Sequence, residues 1–171
     1  GLNGQVYAIV ESGDFIYVGG DFSFAGGVSA RRIARWNKVT ETWSALGDGV
    51  DGVVRSLLIQ GDDLYVAGDF NAAGGAGASK IALWDITTET WSALGSGVNS
   101  SVYALALHES KLYVGGNFSS AGGSSSPYLA EWNIVSEEWD THTGINNRIY
   151  ALEIQNDLLY VGGDFTTIGG I

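Results

Sequence analysis

The chain has 171 residues, of which 45% are hydrophobic, 26 are glycine and none is cysteine or methionine. The absence of cysteine excludes disulfides, thiolate nucleophiles and zinc–thiolate sites. The formal net charge is −11, with only eight Lys and Arg residues. We therefore do not expect nucleic acids or anionic membranes as partners, because binding phosphate requires basic side chains that neutralise its charge. No apolar run approaches the ~20 residues that a membrane-spanning helix needs.

One stretch recurs four times along the chain and organises it. It reads IYVGGDFSFAGG at 16–27, LYVAGDFNAAGG at 64–75, LYVGGNFSSAGG at 112–123 and LYVGGDFTTIGG at 159–170. The short apolar start and the glycines that follow predict a buried strand, and the closing Gly-Gly pairs are expected to adopt positive φ in a turn.

An acidic or amide residue holds one equivalent position in this stretch. The four residues are Asp21, Asp69, Asn117 and Asp164. We expect each side chain to cap a turn by accepting the backbone N–H two residues on. A metal ligand or a catalytic acid is the alternative, and Asn117 argues against it because it has no carboxylate.

The repeat is 48 residues long through the first three copies, as Trp36, Trp84 and Trp132 show, and the fourth copy starts 47 residues after the third. Each copy has four strand-like runs. In the second copy they lie at 53–59, 64–69, 80–86 and 90–94. A turn built on Gly-Asp predicts a tight hairpin between the first two runs. No helical period is present, and frequent glycine would cost a helix ~1 kcal/mol per residue.

Repeated antiparallel units of four strands at this length indicate a β-propeller, in which sheets named blades surround an axis. A sheet with two apolar faces cannot bury either face alone, whereas stacked blades cover both. The run VYAIV at 6–10 is apolar at consecutive positions, as stacking requires. Two tryptophans per copy, on the third and fourth strands, are expected to fill the space between blades. An aromatic platform for sugars or bases is the alternative.

We expect an all-β chain that forms one partial propeller over residues 1–171. Its blades are predicted at 4–51, 52–99 and 100–146, with a half blade at 147–171. About 3.5 blades would leave the two outermost faces and one strand edge exposed. Two explanations stay open: the sequence is a piece of a longer propeller, or two copies associate about a two-fold axis to complete a ring.

The segments LYVGGDF, IARWN and TETWSALG carry a family resemblance. They resemble the kelch-type, galactose-oxidase-like propeller repeat. They are more similar still to the LYVGG(D/N)F…AGG…IA.W repeats of bacterial surface proteins and fungal bud-site-selection cortical markers. The resemblance covers the whole chain and implies a kelch-like β-propeller without implying a ligand. The chain has tryptophan on the third strand where kelch repeats often have tyrosine.

Positions at which one copy departs from the others are candidate binding residues. They are Arg55, His108, Tyr128, His142 and Arg148. Arg55 replaces the tyrosine of the other copies on the first, innermost strand, from which it would point into the axial channel. For each residue, variation on an exposed loop without a function is the alternative.

No catalytic, metal-binding or cofactor-binding constellation is recognisable. Two histidines in separate loops do not make a metal site, and no phosphate-binding loop has the required spacing. We therefore expect a non-catalytic binding or structural module without a cofactor, located outside the cell or on its surface. Its expected partner is a second copy or another protein, with a glycan as a further candidate. The alternative is part of a carbohydrate-active hydrolase or lyase whose catalytic residues lie outside this sequence.

Overall fold

The computed structural model describes residues 1–169, which form β-strands and connecting turns without a helix. The strands in chain order are β1 Gln5–Ser12, β2 Phe15–Asp21, β3 Phe24–Ala25, β4 Val28–Ser29, β5 Ile33–Asn37, β6 Thr42–Ala45, β7 Val54–Gln60, β8 Asp63–Gly68, β9 Ala72–Ala73, β10 Ala76–Gly77, β11 Ile81–Asp85, β12 Thr90–Ala93, β13 Val102–His108, β14 Lys111–Gly116, β15 Ser120–Ala121, β16 Ser124–Ser125, β17 Leu129–Asn133, β18 Glu138–Thr141, β19 Ile149–Gln155 and β20 Leu158–Gly163. Over this range, no membrane-spanning helix is found.

Three antiparallel sheets of four strands repeat along the described chain, and a sheet of two strands follows them. Their strand orders are β1-β2-β5-β6 for blade 1, β7-β8-β11-β12 for blade 2, β13-β14-β17-β18 for blade 3 and β19-β20 for the half blade. The first strands of successive sheets contact one another, so these strands are the innermost. The arrangement confirms the predicted all-β propeller fold.

The strands predicted for the second copy agree with β7, β8, β11 and β12 to within one residue at each end. The blade boundaries derived from the repeat stay a prediction, and residues 170–171 of the predicted half blade lie outside the described residues. The first three Gly-Gly pairs have positive φ, as expected, for example Gly74 at 58° and Gly75 at 82°.

The glycine-rich segment after each second strand contains a short two-stranded ribbon that the sequence analysis did not predict. These ribbons are β3–β4, β9–β10 and β15–β16. In the second ribbon, a Cβ at Gly74 would lie 2.6 Å from the indole of Trp91. Ala73 of the same ribbon also bridges to Val50 in the connection from blade 1. The ribbon therefore contacts both the connection from blade 1 and the tryptophan on the fourth strand of blade 2.

The apolar core lies between the sheets. Each sheet has a leading face toward the preceding sheet and a trailing face toward the following one. At the first junction, Tyr17 and Ile33 of blade 1 pack against Val54, Leu64 and Trp84 of blade 2. Equivalent residues form the second and third junctions. Stacking thus buries both faces of a sheet, because each face meets a different neighbour.

Tryptophan pairs complete the first and second junctions, where their predicted packing role is confirmed. Trp84 and Trp91 face each other across β11 and β12, with ring centroids 5.1 Å apart. Trp84 is 2% exposed. The Trp91 indole N–H donates to the carbonyl oxygen of Leu46 in blade 1 at 3.0 Å, and Trp139 donates to Leu94 of blade 2 at 2.9 Å.

The predicted turn-capping role of the acidic residues after the second strand is wrong for Asp69 and Asp164. Their side chains instead accept hydrogen bonds from Arg55 and Tyr150 on the first strand. Asx capping occurs elsewhere, in the turn between the third and fourth strands, where Asp85 Oδ1 accepts the backbone N–H groups of Thr87 and Thr88. Asp69 and Asp164 therefore face the first strand of their own sheet rather than the turn that follows them.

Candidate functional site

Each first strand contains a β-bulge at the same position. The register of β1 on β2 shifts between Val6 and Ala8, which leaves Tyr7 without a cross-strand partner. The same shift brackets Arg55, Tyr103 and Tyr150. A bulge redirects the side chain of the extra residue. The four bulge residues, named here the axial row, therefore come from the innermost strands of four successive sheets.

Glycine on the second strand makes the bulge possible. The residues opposite are Gly20, Gly68, Gly116 and Gly163. A Cβ at Gly20 would lie 2.0 Å from the carbonyl oxygen of Gln5, and a Cβ at Gly163 would lie 2.0 Å from that of Arg148. Such a close backbone approach requires a residue without a side chain. The glycine that directly precedes the acidic or amide residue in each copy thus allows the axial row to form.

Members of the axial row contact one another. The guanidinium carbon of Arg55 lies 5.7 Å from the ring centroid of Tyr7 and 5.4 Å from that of Tyr103. The rings of Tyr103 and Tyr150 are 5.4 Å apart. These separations are typical of cation–π and tilted aromatic contacts. The row lines an open cleft of about 390 Å³, so it presents an aromatic and cationic surface to solvent.

Carboxylates at the ends of the second strands flank this row. Arg55 Nε donates to Asp69 Oδ2 at 2.7 Å, and the Tyr150 hydroxyl donates to Asp164 Oδ2 at 2.8 Å. Burial is the largest single influence and disfavours the charged form of Asp69, but hydrogen bonds from Arg55 and Ser101, with the positive charges of Arg55 and Lys80, together outweigh it and hold the pKa of Asp69 below its ordinary value. Contact with Tyr150 raises the pKa of the Arg148 guanidinium.

The structure divides the five candidate residues from the sequence among three places. Arg55 and Arg148 lie at the axial row. Tyr128 and His142 belong to the trailing side of blade 3, where Tyr128 packs on the core of the third junction. His108 lies at the hairpin end of β13, and its Nε2 is 3.8 Å from Asp157 Oδ1. Their roles in binding stay a prediction.

Sequence reasoning missed the three tyrosines of the axial row, because positions shared by the copies were interpreted as scaffold. The available signal was a large aromatic residue at one fixed place in the innermost strand of three copies. The described residues include no cluster of three or more His, Asp or Glu side chains placed to hold a metal ion.

Among residues 1–169, no sheet covers the leading face of blade 1. Val6 is 37% exposed, whereas the equivalent residues Val54, Val102 and Ile149 are fully buried. Ile9, on the same strand, is 67% exposed. This face therefore presents to solvent the side chains that fill each internal junction.

The trailing face of the half blade is uncovered as well. Tyr160 is 52% exposed, whereas the equivalent Tyr17 and Tyr65 are 0% and 1% exposed. Leu158, on the same strand, is 59% exposed. The two ends of the arc thus carry complementary halves of one repeated junction, and exposed apolar surface of this kind marks an interaction site.

Comparisons with known proteins agree with this architecture. A computationally designed protein, Ika4, has 19% sequence identity and a TM-score of 0.67, over 98% of this chain and 91% of that one. The designed Ika8 protein has 18% identity and a TM-score of 0.58, over 94% of this chain and 44% of that one. At such identities the likeness shows the fold alone.

No curated protein matches the chain. A family model described as the Rax2 C-terminal beta propeller domain matches residues 1–95 and 59–157. The two matches together cover most of the sequence, and they include all three complete blades. The chain therefore belongs to the Rax2 C-terminal beta propeller domain family.

Proposed function

We propose that this propeller arc is a non-catalytic binding module that associates with a second copy of itself. The leading face of blade 1 in one copy packs on the trailing face of the half blade in the other. A β-propeller fold supports a scaffold or binding role. The observation that carries the proposal is the exposure of Val6 and Tyr160, at positions that are buried in the internal junctions.

The two open faces match because both derive from the repeat. At the first junction, Val54 and Leu64 of a leading face meet Tyr17 of a trailing face. Val6 and Tyr160 occupy the positions of Val54 and Tyr17, so a second copy offers matching side chains on the two inner strands of this contact. A head-to-tail contact made twice closes about a two-fold axis. The closed ring contains two half blades, each with its two inner strands.

Molar mass in solution tests this association. We expect a mass of twice 18.0 kDa for the unmodified chain at micromolar concentration. Tyr160→Asp and Ile9→Lys place charges in the proposed contact and should each give single chains. Val135→Lys is the matched control, because Val135 is 82% exposed in a turn far from both faces, and it should leave the mass unchanged. Single chains of the unmodified protein, or paired chains of Tyr160→Asp, would contradict the proposal.

We also propose a location outside the cell or on its surface. The repeats resemble those of surface proteins, and the acidic composition suits such a setting. Labelling of intact cells of the source organism with a membrane-impermeant reagent tests this, and a chain that is labelled only after lysis would refute it.

A further inference from the structure

In the half blade, no other described strand covers the outer edge of β20. In each complete sheet the second strand pairs with a third strand, as β8 pairs with β11. Within residues 1–169, β20 pairs with β19 alone. An edge of this kind is a template for an additional strand.

Backbone geometry shows which groups of β20 are free to pair. At the end of the second strand, the N–H groups of Gly20, Gly68 and Gly116 donate to the start of the third strand. Gly163 is the equivalent residue in β20. Because hydrogen-bonding direction alternates along a strand, the N–H groups of Leu159 and Val161 point to the same side as that of Gly163.

The complete sheets define what an added strand places opposite these residues. The valine equivalent to Val161 is paired with alanine, as Val66 is with Ala82. The leucine equivalent to Leu159 is paired with tryptophan, as Leu64 is with Trp84. Ala34, Ala82 and Ala130 are all fully buried. A small residue is therefore required opposite Val161, and the residue two positions later lies opposite Leu159.

The residue opposite Leu159 would contact the trailing face of blade 3, and this face differs from the trailing face of blade 2. On blade 2, Trp132 shares a cleft of about 360 Å³ with Leu83, Ser92, Leu94 and Gly95. The equivalent residues of blade 3 are Glu131, Asp140, His142 and Thr143. The changes from Leu83, Ser92 and Leu94 to Glu131, Asp140 and His142 make this surface polar where an indole packs at the second junction.

This surface carries excess negative charge. Glu131 is 3% exposed, and its Oε1 lies 3.0 Å from Lys111 Nζ. Its Oε2 lies 3.8 Å from Nε2 of His142, which has no hydrogen-bond partner among the described residues. Asp140 is exposed and pairs with Glu131 across β17 and β18. Two carboxylates thus lie beside one lysine and one histidine on this surface.

We propose that β20 binds an extended segment of a partner protein that carries a small residue opposite Val161 and a lysine or arginine opposite Leu159. The backbone of the segment pairs with β20, and its cationic side chain reaches Asp140 and Glu131. This site uses the strand edge rather than the two open faces. It therefore goes beyond the proposed self-association and does not depend on it.

A peptide of sequence KIALWDITTETWSALG, residues 80–95 of this chain, contains the third and fourth strands of blade 2 and is a suitable probe. Three fluorescent versions differ at position 84, which would lie opposite Leu159. They carry tryptophan, lysine (Trp84→Lys) or glutamate (Trp84→Glu) there. By fluorescence anisotropy with the full chain, we expect the lysine peptide to bind at least tenfold more tightly than the other two. Added salt should reduce this difference, because it screens the partly exposed charges.

Two protein variants identify the binding surface. Val161→Pro removes one outward N–H of β20, and proline is tolerated in edge strands, so binding of the lysine peptide should fall at least tenfold. Asp140→Lys should reverse the preference between the lysine and glutamate peptides. Val135→Lys is the control that retains both. If circular dichroism shows that Val161→Pro is unfolded, Asp140→Lys decides alone.

Absence of binding by all three peptides, equal binding of the lysine and glutamate peptides, or unchanged preference in Asp140→Lys would overturn the proposal. The molar mass of each variant is measured in parallel. Self-association and strand addition thus succeed or fail independently.

Discussion

Replacing Gly19 with alanine tests how closely the sheets pack. Gly19 lies on β2, and a Cβ there would be 2.3 Å from Cγ1 of Val54 and 3.4 Å from Cδ1 of Leu57. Carbon atoms at contact are ~3.5–4.0 Å apart. Val54 would have to move by more than about 1 Å to restore such a contact. It is fully buried and β-branched, so its side chain has little rotamer freedom with which to adjust.

Excess volume in a packed core costs ~1–3 kcal/mol of unfolding free energy. Ala67 holds the equivalent position in blade 2 and is fully buried, which shows that a junction can form around one methyl group. We therefore expect the lower part of this range, about 1–2 kcal/mol for Gly19→Ala. For a domain of this size, the midpoint of thermal unfolding should fall by roughly 2–8 °C.

Gly162→Ala is the matched control when both substitutions are made in the Ile9→Lys chain, which is expected not to associate, because a Cβ at Gly162 then meets its nearest atom, the Cβ of Ala151, at 3.6 Å. Its unfolding free energy should stay within ~0.5 kcal/mol of the Ile9→Lys chain. Urea unfolding followed by tryptophan fluorescence measures both, at two protein concentrations so that any effect of association is visible. Equal stability of the two variants would refute the close packing of blade 1 on blade 2.

The free energy of unfolding should depend on pH through two groups, Asp69 in the acidic range and Tyr65 in the alkaline range. Arg55 helps to hold the pKa of Asp69 in the folded chain below its value in the unfolded chain despite burial. The resulting contribution to the free energy of unfolding is present above roughly pH 5 and is lost as pH falls through the folded pKa. Thermal midpoints should fall more steeply in acid for the unmodified chain than for Arg55→Tyr, and parallel curves would contradict this. Burial, aided by Asp63, raises the pKa of Tyr65 to about 12. Because the unfolded phenol ionises near pH ~10, stability should fall between these values, and less so in Tyr65→Phe. An equal loss in both chains, measured by urea unfolding, would argue against a buried phenol.

The sequence predicted the sheets because their signals are local and repeated. Short apolar runs bounded by glycine specify the strands, and the spacing from Trp36 to Trp84 to Trp132 shows that whole four-stranded units recur. The bulge at Tyr7 was not predicted, because it depends on the register between two strands. Capping by Asp69 was predicted wrongly, since its side chain accepts a hydrogen bond from Arg55 on β7, a contact that depends on the pairing of two strands.

The candidate site could be predicted only in part. Arg55 stands out because one copy departs from the other three, and it does lie at the axis. His108 and His142 depart from the repeat in the same way, yet they lie in different places, because a departure says nothing about proximity. Contact between Arg55 and Tyr103 follows from the stacking of two sheets, which no single repeat encodes.

Most strand residues pair with a neighbouring strand and also place a side chain in the core, whereas the bulge residues do neither. Tyr7 has no partner in the ladder between β1 and β2, and the axial row is absent from the apolar layers between sheets. Arg55 already stands where three other copies have tyrosine, with the sheet around it unchanged in strand order. The axial row can thus change its side chains while the sheets keep their strand order, which makes it a place where evolution or engineering can install a new binding specificity.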